Sequence, residues 1–288
     1  MDQTRKEVFL TAIPFSGSEL INIAIGIERR GTVFYDIMTR STKNAVARDV
    51  FQYLADMERE HVHIFQSMLT EADKYQVPVF ILTDNYLVNL YYNLPQFDLT
   101  NLVIENHVVK TEKDYKRYKL TESGISPRGI PGYGDGLVGV DSHEHDEEAH
   151  ISEDLHYMRI KMVEKRLKKL NLLEKDVIRP ELIGNENYKT LLIGWGSTFY
   201  LIKEAMELLK KEDISFLHFK QVFPLHPKTS DYLSQADKTV LIENNTTGQF
   251  GKLIKLYTGI DVDAKILKSN GLPFSVEELI ENLENVVK

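Results

Sequence analysis

Two glutamates and a histidine near the N-terminus stand among positions that a helix would otherwise give to apolar side chains. Apolar residues recur at Leu20, Ile23, Ala24, Ile27, Val33, Phe34 and Met38, and again at Phe51, Leu54, Ala55, Val62, Phe65 and Leu69, which makes two helical stripes. At about 100° per residue, Glu58 falls near the centre of the second stripe and His61 lies one turn on, at its edge. Glu28 sits beside Ala24 and Tyr35 on the flank of the first. A lone carboxylate facing a helix core is costly unless it is paired or holds a cation. Glu58-Arg59-Glu60-His61 has the Glu-x-x-His spacing that brings donors at i and i+3 onto one metal ion. The same spacing is common on ordinary surface helices, so the inward placement and the Glu28 partner carry the metal reading. His63 is expected on the opposite, solvated face.

The elements that must position these donors are legible. Ser16 and Glu19 are spaced as a capping box for the first helix, and Ser41-Thr42-Lys43-Asn44 reads as the turn into the second. Long stripes joined by a short turn imply an antiparallel helical hairpin. Ile25-Gly26-Ile27-Glu28-Arg29-Arg30-Gly31 with Phe34-Tyr35, and Phe51 through His61, resemble the first two helices of the rubrerythrin-like branch of the ferritin-like family. The resemblance covers about residues 15–75 and implies that Glu28, Glu58 and His61 are iron ligands. That family has four helices and two such ligand sets. One set here implies a second copy, supplied most simply by two-fold self-association.

The periodicity changes near residues 70–78. Val77-Pro78-Val79-Phe80-Ile81-Leu82 reads as a buried strand, residues 101–140 as short strands and loops, and Glu147 to Leu170 as one long charged helix. From Tyr188 a compact α/β unit is expected. Its strands lie at Thr190-Leu191-Leu192-Ile193-Gly194, Phe216-Leu217-His218-Phe219 and Thr239-Val240-Leu241-Ile242, and Ser197 caps a helix reaching Lys211. Further helices fall near 228–235, 248–258 and 275–286. This alternation implies a mainly parallel sheet whose ligand-binding edge carries Gly194-Trp195-Gly196-Ser197 and Glu243 to Gly248. Gly194-x-Gly196-Ser197 could hold a phosphate at a helix N-terminus. It lacks a third glycine and a P-loop lysine, which favours a tight structural turn. His143, His145 and His150 sit among Glu144, Asp146, Glu147 and Glu148, but His145 and His150 are five apart, so helix-start electrostatics outweigh a metal site there. Arg128 reads as an anion or subunit contact, or as a buried salt bridge.

Ordered motifs then accumulate. Asp114-Tyr115-Lys116-Arg117-Tyr118, Ser126 to Gly132, Asp141 to Glu148, Gly194 to Thr198, His218 to Pro224 and Glu243 to Phe250 are similar to the alpha subunit of 2-oxoacid:ferredoxin oxidoreductases, the 2-oxoglutarate type above others. The resemblance runs from about residue 72 to the C-terminus. It implies oxidative decarboxylation of a 2-oxoacid on thiamine diphosphate, with acyl transfer to coenzyme A and electrons leaving to ferredoxin. A separate beta subunit would hold the diphosphate, its magnesium and an iron–sulfur cluster. The family's catalytic motifs precede the matched stretch, so no catalytic residue is carried over, and this chain alone is expected to be inactive.

Bulk properties agree with that division. The 288 residues contain no cysteine, so cysteine-ligated clusters and disulfides are excluded from this chain. A net charge of −8 without a basic tract argues against nucleic acid, and no stretch of 18 apolar residues argues against a membrane span. A cytoplasmic setting is expected. The fold class is read as a C-terminal, transketolase C-terminal-like α/β domain with a mainly parallel sheet. A partial α/β thiamine-type domain and an N-terminal ferritin-like α-hairpin precede it. The boundaries are residues 1–75 (hairpin), 76–140 (remnant of a pyrimidine-type thiamine domain), 141–186 (long helix and linker) and 187–288 (α/β domain). Function is read as part of that alpha subunit. A di-iron protein, or a fusion of two unrelated halves, are the alternatives.

Overall fold

The computed structural model describes residues 17–83 and 107–287. The chain divides into two compact units, residues 1–80 with 93–165, and residues 81–92 with 166–288. Ser16, the side chains of Glu19 and His63 and residues 101–106 lie outside what the structure describes, so the expected capping pair is not seen.

The first unit holds α1 (Gly17–Ser41) and α2 (Ala45–Lys74). Asn44 breaks between them because its extended backbone and side-chain carbonyl suit an N-cap; Oδ1 accepts from Ala47 N at 3.1 Å. The two helices pack along their length. Ile25 and Ala55 are buried, the Tyr35 and Phe51 rings stack, and Arg59 of α2 reaches Asp36 of α1 at 2.6 Å. The remaining described part, residues 107–157, is built of loops with isolated bridges such as Val108 to Arg128. Thr111 is its hub. Its N–H donates to Tyr133 O, its carbonyl accepts from Asp135 N, and its hydroxyl accepts from Gly136 N. Gly134 takes φ +116° against this hub, where a Cβ would come within 2.4 Å of Thr111 backbone atoms.

The end of α2 is tied into these loops. Asp73 pairs with Arg128 and accepts from His107 N at 2.9 Å. Gln76, at φ +50°, donates to Ser126 O at 2.6 Å and accepts from Arg117 at 3.1 Å. Tyr75 between them is buried. Arg128 therefore makes the salt bridge that its sequence context left open.

Two expectations in this unit are overturned. Residues 76–83 form no strand, and Phe80 is 82% exposed. Pro78 removes a ladder donor, and no neighbouring strand pairs with the segment among the described residues. The long helix begins at Met158, not Glu147 (α3, Met158–Leu173). Ala149 takes φ +70°, which a helix cannot contain, and Asp154 instead accepts from the N–H groups of His156 and Tyr157 just before α3.

The second unit is a five-stranded sheet ordered β1-β3-β2-β4-β5. Its strands are β1 (Glu181–Ile183), β2 (Thr190–Trp195), β3 (Ile214–Phe219), β4 (Lys238–Glu243) and β5 (Ala264–Leu267). Only β1 is antiparallel. The continuous apolar runs of β2, β3 and β4 fit strands covered on both faces. On one face Leu191, Ile193, Leu217 and Leu241 meet α5 (Thr229–Gln235) and α6 (Gln249–Thr258). On the other Leu192, Phe216, Val240 and Ile242 meet α4 (Thr198–Leu209) and α7 (Val276–Val286). Ser275 and Glu278 form a capping box at α7. The sequence reading missed β1 and β5, which are short and carry half-buried residues that give no long apolar run.

Candidate metal centre

Glu28 lies in α1 and Glu58 and His61 one turn apart in α2, so the packing of two adjacent helices is enough to bring them together. One ligand atom from each falls within 4.8 Å of the others. His61 Nδ1 is 3.2 Å from Glu28 Oε2 and 3.5 Å from Glu58 Oε2. The side chains of Glu28, Glu58 and His61 are 18%, 20% and 42% exposed, so the carboxylates are largely withdrawn from water and the imidazole opens outward.

The electrostatics are those of donors crowded together. Hydrogen bonding of the imidazole to the Glu28 carboxylate, and then to that of Glu58, raises the His61 pKa to about 9, against the opposing effect of burial. Burial and the Glu58 carboxylate raise Glu28 above the usual range, against the pull of His61. For Glu58 burial pushes upward, but hydrogen bonds with His61 and Glu28 outweigh it and hold the group down. The imidazolium is thus the cation that this carboxylate pair holds, and a divalent ion would replace its proton. Two carboxylates and one imidazole are a donor set suited to iron or another first-row divalent ion.

The other histidine–acid cluster does not converge. His143 pairs with Asp141 at 2.8 Å and His150 with Asp146 at 3.3 Å, while His145 is buried against the Tyr118 ring at 3.7 Å between centroids. Asp146 organises a turn, accepting from Glu148 N and His150 N, in place of the helix start expected there.

In the second unit the strand order reverses between β2 and β4, the place where such sheets bind ligands at their carboxyl edge. Here the chain fills that place itself. Glu243, 1% exposed, accepts from Phe250 N at the start of α6, from Trp195 Nε1 at 3.2 Å and from Asn245 Nδ2 at 2.7 Å. Asn245 Oδ1 in turn accepts from Gly248 N. A carboxylate therefore already holds the anion position at this helix N-terminus. The Gly194–Ser197 turn is likewise structural. A Cβ at Gly194 would meet Ile202 at 2.6 Å; at the start of α4 the Ser197 side chain makes no cap hydrogen bond, and the Thr198 hydroxyl donates to Trp195 O. His218 on β3 was read only as a strand and motif residue, with no role of its own. It is 6% exposed with both ring nitrogens unpartnered, and burial lowers its pKa to about 4.

With this geometry in place, the chain can be compared with known proteins. It is 32% identical over 98% of its length to a 2-oxoacid:ferredoxin oxidoreductase alpha subunit from Sulfurisphaera tokodaii, covering 47% of that protein. It is 35% identical over 80% of its length to the alpha subunit from Saccharolobus solfataricus, covering 38% of it. Its relatives are alpha subunits of 2-oxoacid:ferredoxin oxidoreductases. Among solved structures, the 2-oxoglutarate:ferredoxin oxidoreductase from Magnetococcus marinus, with 2-oxoglutarate, coenzyme A and succinyl-CoA bound, is similar at a TM-score of 0.67 and 25% identity. That match covers 83% of this chain and 41% of the other. The Rubrerythrin family matches residues 19–119.

The chain thus spans less than half the length of the alpha subunits it matches. The alpha-subunit match reaches further toward the N-terminus than the motifs alone, and the Rubrerythrin match runs past residue 78. Neither comparison stops at the change of periodicity, which is also where Asp73, Tyr75 and Gln76 knit α2 to the loops. Among the described residues, no helix is long and apolar enough to cross a membrane.

Proposed function

We propose that this chain supplies the alpha-subunit part of a thiamine-diphosphate-dependent 2-oxoacid:ferredoxin oxidoreductase. With a separate beta subunit, it would convert a 2-oxoacid, coenzyme A and oxidised ferredoxin to acyl-CoA, carbon dioxide and reduced ferredoxin. The supporting observation is the 32% identity over 98% of the chain, with the neighbouring structure named for 2-oxoglutarate. On this reading residues 187–288 are the transketolase C-terminal-like domain, residues 141–186 connect it, and residues 76–140 are the tail of a thiamine-type domain. Residues 1–75 are a ferritin-like hairpin.

The described residues do not fit the cofactors that this activity implies. The anion position at the start of α6 is taken by Glu243, and the chain has no thiolate for an iron–sulfur cluster. Diphosphate, magnesium and cluster are therefore assigned to the partner, and no chemical step is assigned to residues of this chain. Mixing the chain with the beta subunit and assaying 2-oxoglutarate- and coenzyme-A-dependent reduction of a viologen dye tests the reading. The expected result is association with the beta subunit and no turnover by the chain alone. Failure to associate, or turnover without the beta subunit, would refute it.

A second reading is favoured by the donor cluster, whose ligand atoms lie within 4.8 Å of one another. The hairpin would bind iron through Glu28, Glu58 and His61, and two-fold self-association would bring a second set of donors. About one iron per chain, lost in Glu58→Ala, is the expected metal content; an iron-free, monomeric protein refutes this reading.

A further inference from the structure

Glycine is the poorest helix former after proline, and α1 contains Gly26 and Gly31 well inside its ends. Their surroundings differ sharply. A Cβ at Gly26 would meet nothing within 4 Å. A Cβ at Gly31 would lie 2.7 Å from Glu58 Cδ, 2.7 Å from Glu58 Oε1 and 3.0 Å from Glu58 Cγ. All three of the nearest atoms belong to one side chain, and that side chain is a member of the donor cluster. Gly31 stands one turn from Glu28 on α1, so the gap it leaves lies beside the other carboxylate of the site.

We infer that Gly31 is a positioning residue: its missing side chain is the space that lets the Glu58 carboxylate lie between α1 and His61. The inference deepens the metal reading above and rests on it for its functional meaning. Real Cβ atoms essentially never approach other atoms within 3.0 Å, so a methyl group at 31 forces a movement. The atoms that give way are the end of a flexible side chain, not backbone, so the fold absorbs the change cheaply. What is lost is the aim of a ligand. A helix that merely tolerated glycine here would gain helicity from alanine and keep its site; this one gains helicity and loses a donor.

The test compares Gly31→Ala with Gly26→Ala in the full chain, each also combined with Glu58→Asp, by Co(II) titration read in visible absorption. Gly31→Ala should weaken Co(II) binding by about 10–100-fold, the usual cost of disturbing a ligand's support. Gly26→Ala should bind as wild type. In the Glu58→Asp background the carboxyl carbon falls at the Cγ position, 3.0 Å from the added methyl, where a small shift suffices, so Gly31→Ala should cost less there, under about 3-fold. Equal losses in both backgrounds, or wild-type binding by Gly31→Ala, overturn the inference. A crystal structure of metal-free Gly31→Ala decides the matter without any ion. The Glu58 to His61 separation, 3.5 Å here, should open past ion-pair reach, beyond about 4 Å, and an unchanged separation overturns the inference. Should wild type not bind Co(II) while that separation opens, the metal reading falls and the positioning role of Gly31 stands.

Discussion

His218 should make the α/β unit acid-labile by itself. Both ring nitrogens are buried without a hydrogen-bond partner; Gly196 backbone lies near enough to favour the charged form slightly, but not in bonding geometry. Folded, the pKa is about 4 against an ordinary 6.5. The unfolded chain therefore takes up this proton first as pH falls. The neutral imidazole's share of stability is complete above pH 6.5 and is lost as pH drops toward 4. A displacement of that size corresponds to about 3 kcal/mol when the transition is complete, and to about 2 kcal/mol between pH 7.5 and pH 5. His218→Leu removes the titration and the two unmet hydrogen bonds while filling a similar volume between Phe199 and Phe216. The variant should be more stable than wild type by about 1 kcal/mol at pH 7.5 and by about 3 kcal/mol at pH 5. Trp195, the single tryptophan, sits in the same sheet, so urea midpoints followed by its fluorescence report this unit. Groups that titrate in both proteins cancel in the difference. A gap between the two proteins that stays constant from pH 7.5 to pH 5 would refute the reasoning.

Further outcomes follow from three other sites. His61 must release its proton to bind a metal, so Co(II) affinity should rise about tenfold per pH unit from pH 6.5 to 8.5 and flatten above 9; a flat profile in that range would refute it. In metal-free protein the sign is opposite to that of His218. Stability from the charged His61 is complete below pH 6.5 and fades as pH rises through 9, by a reduced amount because the ring is partly exposed. Glu243→Ala leaves the Phe250 N–H, the Trp195 indole and the Asn245 amide without their acceptor, and should cost about 3 kcal/mol or more in urea unfolding, with Glu243→Gln costing less. Asp73→Ala removes the partner of Arg128 and the acceptor of His107 N, and should raise amide exchange in residues 107–136 while leaving that of 190–195 unchanged.

The hairpin and its donors were legible because helical periodicity is local. Residues one turn apart share a face whatever surrounds them, so Glu58 and His61 could be paired on the page, while Glu28 could be placed only on the flank of the first stripe and joined to them through the family resemblance. The strands β2, β3 and β4 were legible because a strand buried on both faces reads as an unbroken apolar run. The 77–82 segment shows the limit of that signal. Its apolar run is as strong as those of β2 and β4, yet a strand exists only where another offers its hydrogen bonds, and the described residues offer none. The 147–157 stretch failed for a related reason, since one left-handed backbone at Ala149 overrides many helix-favouring neighbours.

By itself, then, the sequence determined the helical hairpin, the strands β2, β3 and β4 with their parallel character, the closeness of Glu58 and His61 on one helix face and the family that its motifs resemble. Each of these is written in neighbouring residues or in ordered motifs. The tertiary structure decided what depends on distant groups meeting. It filled the sheet's carboxyl edge with Glu243, stranded His218 beneath α4, tied Asp73 to Arg128 across 55 residues of chain and set Gly31 against the Glu58 carboxylate. Burial, pKa and room for a ligand are properties of a neighbourhood, and long-range packing builds that neighbourhood.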